Sequence, residues 1–206
     1  MAEFQSSIIY FDQSGKENTE RVLELAGKKA GEFDIHKALI ASTTGYTGSM
    51  AIQALAGMDI VVVSHAAGFK GKNQQELTPE NRQMIEKGGG MILTATHAFG
   101  GVNRAIRKQL STCQPDEIIA EVLRTFGQGM KVIFEMALMA SDAGIVQTGQ
   151  PTLAIAGTHR GADTAAVVLP VNSFSFFDFR ILDLICMPSG SHPGFSKSQE
   201  ESRENK

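Results

Sequence analysis

Cysteine is scarce here. Cys113 and Cys186 are the only two in 206 residues. Two thiols cannot make a disulfide framework, and their separation is not that of metal ligands, which suits a reducing cytosol. Long apolar runs are also missing. No stretch reads as a bilayer span, and the first residues do not follow the basic-then-apolar order of a secretory signal. A cytoplasmic protein with no membrane partner is therefore expected. Charge of one sign is lacking too. With 19 basic against 22 acidic side chains, the net charge is −3. Nucleic-acid binding wants a strong basic bias, so no nucleic-acid partner is expected. What is present is 42% hydrophobic residues, enough for a substantial core, and 21 glycines clustered at strand ends. That suits tight backbone turns around a ligand.

The hydrophobic pattern alternates short buried-type strands with amphipathic helices. Ser7–Phe11 reads as a strand, and Asn18 or Thr19 opens a helix to about Ala30. Ala38–Ala41 and Asp59–His65 are strands. The second is a β-branched run without alternation, as in parallel strands covered on both faces. Thr78-Pro79 starts a helix as cap and first residue, and Gly88–Gly90 ends it. Met91–His97 is a strand, followed by helices over 102–110, from Pro115 to about Phe126, and over 131–143. Pro151–Ala156 and Ala165–Leu169 are strands joined directly by a loop, so they should form an antiparallel hairpin at one side of the sheet. A last strand is expected over 181–187. The fold class is thus α/β: a three-layer α/β/α sandwich, its sheet mostly parallel with an antiparallel edge strand. One domain is expected over 1–188, with a Ser/Glu/Lys-rich tail over 189–206 that should be disordered.

In such sheets ligands bind at the carboxyl ends of the strands. Polar residues gather there three times, as Ser42-Thr43-Thr44, Ser64-His65 and Thr94-Ala95-Thr96-His97. The first continues as Gly45-Tyr46-Thr47 into a helix. Hydroxyls and free N–H groups at a helix start attract phosphate, because the dipole and the orphan donors point the same way. A strand-to-helix turn with a plain Ser/Thr cap is the alternative, since the loop lacks the spacing and lysine of a P-loop. The loop Gly157-Thr158-His159-Arg160-Gly161-Ala162-Asp163-Thr164 offers a second set of donors and one guanidinium, or is only a long hairpin turn with Arg160 in solvent. His65 and His97 are candidate acid/base groups or ring contacts, with Phe69 nearby. Both could equally be packed core histidines, and no third ligand appears at metal spacing. Lys131, Glu135 and Asp142 recur at offsets of four and seven. The expectation is a narrow solvent stripe with a Lys–Glu pair, and the alternative is a stripe facing the site. Phe174, Phe176, Phe177 and Phe179 read as core or oligomer contact before they read as a flavin box.

Taken together, the two loops resemble the effector-phosphate loops of the pyruvate kinase C-terminal domain. Over the chain to about Pro188, the set of motifs is similar to free-standing archaeal and bacterial proteins of that fold. Those motifs are Phe11-Asp12 to Gly15 with Asn18-Thr19, Ser64-His65 with Gly68-Phe69, Gly129–Val132 with Glu135, Met139–Gly144, and Gly157–Thr164. The resemblance implies five main strands with the last antiparallel. It also implies flavin mononucleotide (FMN) in the cleft, its phosphate on Ser42, Thr43, Thr44, Gly45 and Thr47. Gly157, Thr158, Arg160, Gly161 and Thr164 would form the opposite wall, and His65, Phe69 and His97 would meet the ring or a substrate. No stretch here reads as the barrel that carries pyruvate kinase chemistry, so that activity is not implied, and the effector domain is not itself catalytic. Three readings stay open. One is a flavin protein. Another is a phosphate-effector sensor, in which a small phosphorylated ligand shifts a partner or homo-oligomer. The last is a flavin-independent enzyme using His65 or His97 on a phosphorylated substrate.

Overall fold

The computed structural model describes residues 3–189; beyond Ser189, the tail expected to be disordered lies outside them. The strands are β1 (Ile9–Phe11), β2 (Lys37–Ala41), β3 (Asp59–Ser64), β4 (Met91–Thr94), β5 (Thr152–Ala156), β6 (Thr164–Leu169) and β7 (Arg180–Pro188). The helices are α1 (Thr19–Glu32), α2 (Tyr46–Ala54), α3 (Pro79–Lys87), α4 (Val102–Leu110), α5 (Pro115–Arg124) and α6 (Gln128–Asp142). Local chemistry sets several of these limits. Thr78 caps α3 by accepting from the Asn81 amide at 3.2 Å, with Pro79 at the first helical position. Gln114 and Glu117 form a reciprocal capping box around Pro115 at the start of α5. β4 stops at Thr94, short of the expected His97, because its ladder with β3 runs out at the pair Ser64–Thr94. That leaves His97 in the turn beyond the strand.

The seven strands lie in the order β1-β7-β6-β5-β2-β3-β4. β6 runs antiparallel to both of its neighbours, and every other pairing is parallel. The hairpin β5–β6 forms as its short connection requires. β7 and β1 extend the sheet beyond it, so β6 is third from that edge. Strand alternation then divides the core. Ile40, Val62, Leu153, Ile155 and Val167 face α1, α2 and α3 through Val22, Leu23, Ala26, Ala51 and Ile85. Leu39, Val61, Ala154, Ala166 and Val168 face α6 through Ile133, Met136, Ala137 and Ala140. α6 is the most buried helix because it crosses the middle of the sheet and carries α5 on its outer side. Among the described residues no helix is long and apolar enough to cross a membrane.

Candidate functional site

β2 leads through α2 to β3 and then β4 on one side, while the chain returns through α4, α5 and α6 to β5 on the other side of β2. α2 lies on one face and α6 on the opposite one. The connections therefore diverge at the carboxyl ends of β2 and β5, which is where open α/β sheets form a binding crevice. Both loops singled out in the sequence leave the sheet at this point. Ile40 sits beside Ile155, and continuing that register brings Ser42 beside Gly157.

The first loop is built to hold its own amides open. Ser42 is buried, and its hydroxyl accepts the Gly48 amide at 3.1 Å inside α2. It is thus a helix cap rather than an exposed ligand contact. Asn81 Nδ2 donates to the Thr44 carbonyl at 2.9 Å and the Thr78 amide to the same oxygen at 3.2 Å, so α3 braces the turn from outside. Gly45 has φ 92°, and a Cβ there would lie 2.4 Å from Asn81 Cβ and 2.6 Å from Leu77 Cδ1. Only glycine meets both conditions. Thr47 is buried below the turn. Among the described residues, the amides of Thr43, Thr44, Gly45, Tyr46 and Thr47 have no protein acceptor. Five consecutive free donors at a helix start form an anion cradle.

The second loop is organised around a buried carboxylate of its own. Asp163 is fully buried. Its Oδ2 accepts the Thr158 amide at 2.9 Å and the Gly15 amide at 3.0 Å, and its Oδ1 accepts the Thr164 hydroxyl at 2.7 Å. The Ala162 amide donates to Thr19 Oγ1 at 3.0 Å, the Asp163 amide to the Ala156 carbonyl at 3.1 Å and the Arg160 amide to the Thr158 carbonyl at 2.8 Å. α6 begins against this carboxylate: a Cβ on Gly129 would stand 3.1 Å from Asp163 Oδ1, so the positive end of the helix dipole faces the buried charge. Several of the expected wall residues are thereby reassigned. Thr164 is fully buried with its hydroxyl engaged. Gly157 packs under Gly161 and Ala162, and Gly161 packs against Lys16 and Thr19. Arg160 and half-exposed Thr158 remain at the rim. Lys16, whose ammonium lies 4.7 Å from the Tyr46 ring centroid, links this loop's support to the first loop.

The histidines also divide. His65 Nδ1 lies 2.8 Å from Glu76 Oε2 and Nε2 lies 3.3 Å from Thr43 Oγ1. A carboxylate only accepts, so Nδ1 carries a proton, and in the neutral ring Nε2 presents its lone pair to the Thr43 hydroxyl. The His65 side chain is 32% exposed and that of His97 only 14%. His97 Nε2 accepts the Ala66 amide at 3.4 Å, which puts its proton on Nδ1, 3.8 Å from Glu135 Oε2. Burial lowers the His97 pKa, opposed by Glu135 and helped by His65, Lys131 and Arg104, so the ring is neutral near pH 7. His97 is the more buried ring and its Nε2 is taken by a backbone amide, so it positions its neighbours, whereas the more exposed His65 lies between a carboxylate and a hydroxyl and is the better placed for proton transfer. Phe69 stacks on His97 with centroids 4.7 Å apart and lies 4.3 Å from His65, with the Arg104 guanidinium 4.8 Å above it.

The charged stripe of α6 is corrected. Lys131 and Glu135 are 7% and 5% exposed, not a solvent face, and pair at 2.5 Å beneath the crevice. Glu135 Oε1 also accepts the Phe99 amide at 3.2 Å. Asp142 is separate, at the far end of the helix, where it accepts from Asn172 and Ser173. Desolvation works against its charged form, but these bonds hold its pKa below the usual value. Phe176 and Phe179 pack around Phe134, while Phe174 and Phe177 are exposed.

Glu76 carries no sequence signal as a site residue, and Asp163 stands in its loop's sequence with nothing to mark it as the carboxylate that organises the loop. Glu76 lies in a polar loop 11 positions after His65, and no spacing marks such a pair. Cavities of about 250 and 170 Å³, by His36 and Met58 and by Phe4 and Phe33, lie at the opposite end of the sheet and do not mark the crevice. Compared with known families, residues 20–168 match the model of the pyruvate kinase alpha/beta domain. The match spans most of the sequence, and the chain belongs to this family.

Proposed function

We propose that this member of the pyruvate kinase alpha/beta-domain family binds a phosphorylated small molecule at the Thr43–Thr47 turn, with FMN the first ligand to test. The observation that carries the reading is the row of five unpartnered amides at the start of α2, located where the sheet order reverses. Arg160 and Lys16 supply positive charge at the rim. Thr44, the exposed hydroxyl of the turn, adds a donor.

The cradle fits the phosphate of FMN. The isoalloxazine is less well served. Phe69 is stacked on His97 and capped by Arg104, so a flavin ring would have to displace the guanidinium to find an aromatic face. If flavin binds, it would supply the redox chemistry, and the residues here would position it. A smaller phosphorylated effector needs no such opening, which favours the sensor reading as the second one.

The test is a visible absorption spectrum of the purified protein and mass spectrometry of what heat releases, followed by thermal melting with FMN, riboflavin and sugar phosphates. Phosphorylated ligands should raise the melting temperature and riboflavin should not. Arg160→Ala should weaken phosphate-ligand binding about tenfold, the value of one charge-assisted contact, with no change in stability because its side chain is exposed. A protein that no phosphorylated ligand stabilises would refute the reading.

A further inference from the structure

Three side chains at the crevice form a chain that ligand binding alone does not require. Thr43 Oγ1 lies 3.3 Å from His65 Nε2, and His65 Nδ1 lies 2.8 Å from Glu76 Oε2. They come from three different segments: the turn after β2, the end of β3 and the loop before α3. The order hydroxyl, imidazole, carboxylate is that of an activated nucleophile, its base and the group that fixes the base's tautomer. Thr43 is half-buried, and His65 and Glu76 have 32% and 21% exposed side chains, so a small substrate reaches the line from solvent.

The backbone around Thr43 supports the same reading. Ala41-Ser42-Thr43-Thr44-Gly45 runs from strand to helix with the candidate nucleophile in the turn and glycine two residues later. Acyl-transfer enzymes place a serine on such an elbow and use the amide of the following residue to hold the oxyanion. Here the Thr44 and Gly45 amides follow Thr43 and have no protein acceptor. One difference is that the left-handed residue of this turn is Gly45 rather than Thr43, so the nucleophile itself carries no backbone strain.

We propose that Thr43, His65 and Glu76 are the catalytic triad of a hydrolase acting on carboxylic esters. His65 Nε2 takes the Thr43 proton as Oγ1 bonds to the ester carbonyl carbon. The carbonyl π pair moves to oxygen, where the free amides of the turn hold it. Collapse breaks the bond to the alcohol oxygen, and His65 returns its proton to that leaving group. Water then attacks the acyl-threonine, gives its proton to His65, and the acid departs as Oγ1 is reprotonated. The sum is ester plus water giving acid plus alcohol.

The full chain is treated with a fluorophosphonate probe and with p-nitrophenyl acetate. Peptide mass mapping should find the probe on Thr43. Thr43→Ala should abolish labelling and Thr43→Ser should keep it, the latter guarding against a folding artefact. His65→Ala should slow labelling by about 10²–10⁴-fold, the range of a positioned general base, and Glu76→Gln should slow it in the same direction. No probe on a folded protein, a probe on another residue, or wild-type labelling in His65→Ala would overturn the triad. A protein stabilised by phosphate ligands but never labelled loses the triad and keeps the binding reading. A labelled protein that no phosphate ligand stabilises does the opposite.

Discussion

The two loops at the ends of β2 and β5 both carry threonines and glycine, yet they are built for opposite ends. In the turn at Thr43–Thr47 every support comes from outside: Asn81 and Thr78 hold the Thr44 carbonyl, and Ser42 holds the Gly48 amide. Its own donors stay free. In the Gly157–Thr164 loop the support centres on a carboxylate of the loop itself, which ties it to Gly15, while Thr19 takes the Ala162 amide. Asp163 gathers two amides and a hydroxyl, and the side chains of Arg160 and Thr158 are left at the rim. The difference teaches that a donor-rich loop becomes an anion site only when something else satisfies its geometry. The histidines differ in a similar way, since buried His97 accepts a backbone amide and the more exposed His65 turns Nε2 towards a side-chain hydroxyl.

The largest test of this contrast is Asp163→Ala. It would leave the part-buried Gly15 and Thr158 amides and the buried Thr164 hydroxyl without this acceptor. Bonds to a charged group contribute about 1.5–3 kcal/mol each, so a loss of at least about 3 kcal/mol is expected in urea unfolding. The affinity of the protein that remains folded for a phosphorylated ligand should hardly change. Equal loss of affinity and stability would mean that the second loop belongs to the anion site after all.

Gly45→Ala should act on the other loop with a smaller effect on stability, about 1–3 kcal/mol, from its positive φ and the contacts with Asn81 and Leu77. Here phosphate-ligand affinity should fall with it, because the turn must move to admit the methyl group. Gly57→Ala is the control. It shares a φ near 90° but has nothing within 4 Å, so it reports backbone strain alone. A Gly45→Ala protein that binds as well as the Gly57→Ala protein would separate the cradle from the turn's shape.

Much of this architecture was legible in the sequence, and the reasons are local. The β-branched run Ile60–Val63 and the pair Thr78-Pro79 specify a buried strand and a helix start whatever surrounds them. The direct link from β5 to β6 could only be a hairpin. What stayed hidden depends on the third dimension. Lys131 and Glu135 at four-residue spacing look the same whether the stripe meets water or the crevice, and only the packing of α6 across the sheet buries them. Glu76 becomes a partner of His65 because its loop folds back over the end of β3, and Asp163 becomes the centre of its loop because Gly15 and α6 arrive from distant parts of the chain. The two loops could not be told apart because composition records donors, not their partners.

The smallest expected effect concerns the histidines. Burial lowers the His97 pKa below its ordinary value of 6.5. In the unfolded chain the same ring takes up a proton as pH falls through about 6.5, while the folded protein still resists it. Between these two pKa values the unfolded state binds more protons, so stability must fall as pH decreases through this window. The contribution is complete above about pH 6.5 and gone below the folded pKa. His97→Gln keeps an amide that can accept from Ala66 but does not titrate. It should flatten the pH dependence of unfolding free energy just below about pH 6.5 without altering the loss at lower pH, where Asp142, whose folded pKa is held below its ordinary 3.8, is protonated. His65→Gln should reduce the His97 slope only in part, because burial is the first cause of that shift and His65 a lesser one. If His65→Gln flattened this window as much as His97→Gln, the division of labour between the two rings would fail, and with it the argument that only one of them is held ready for proton transfer.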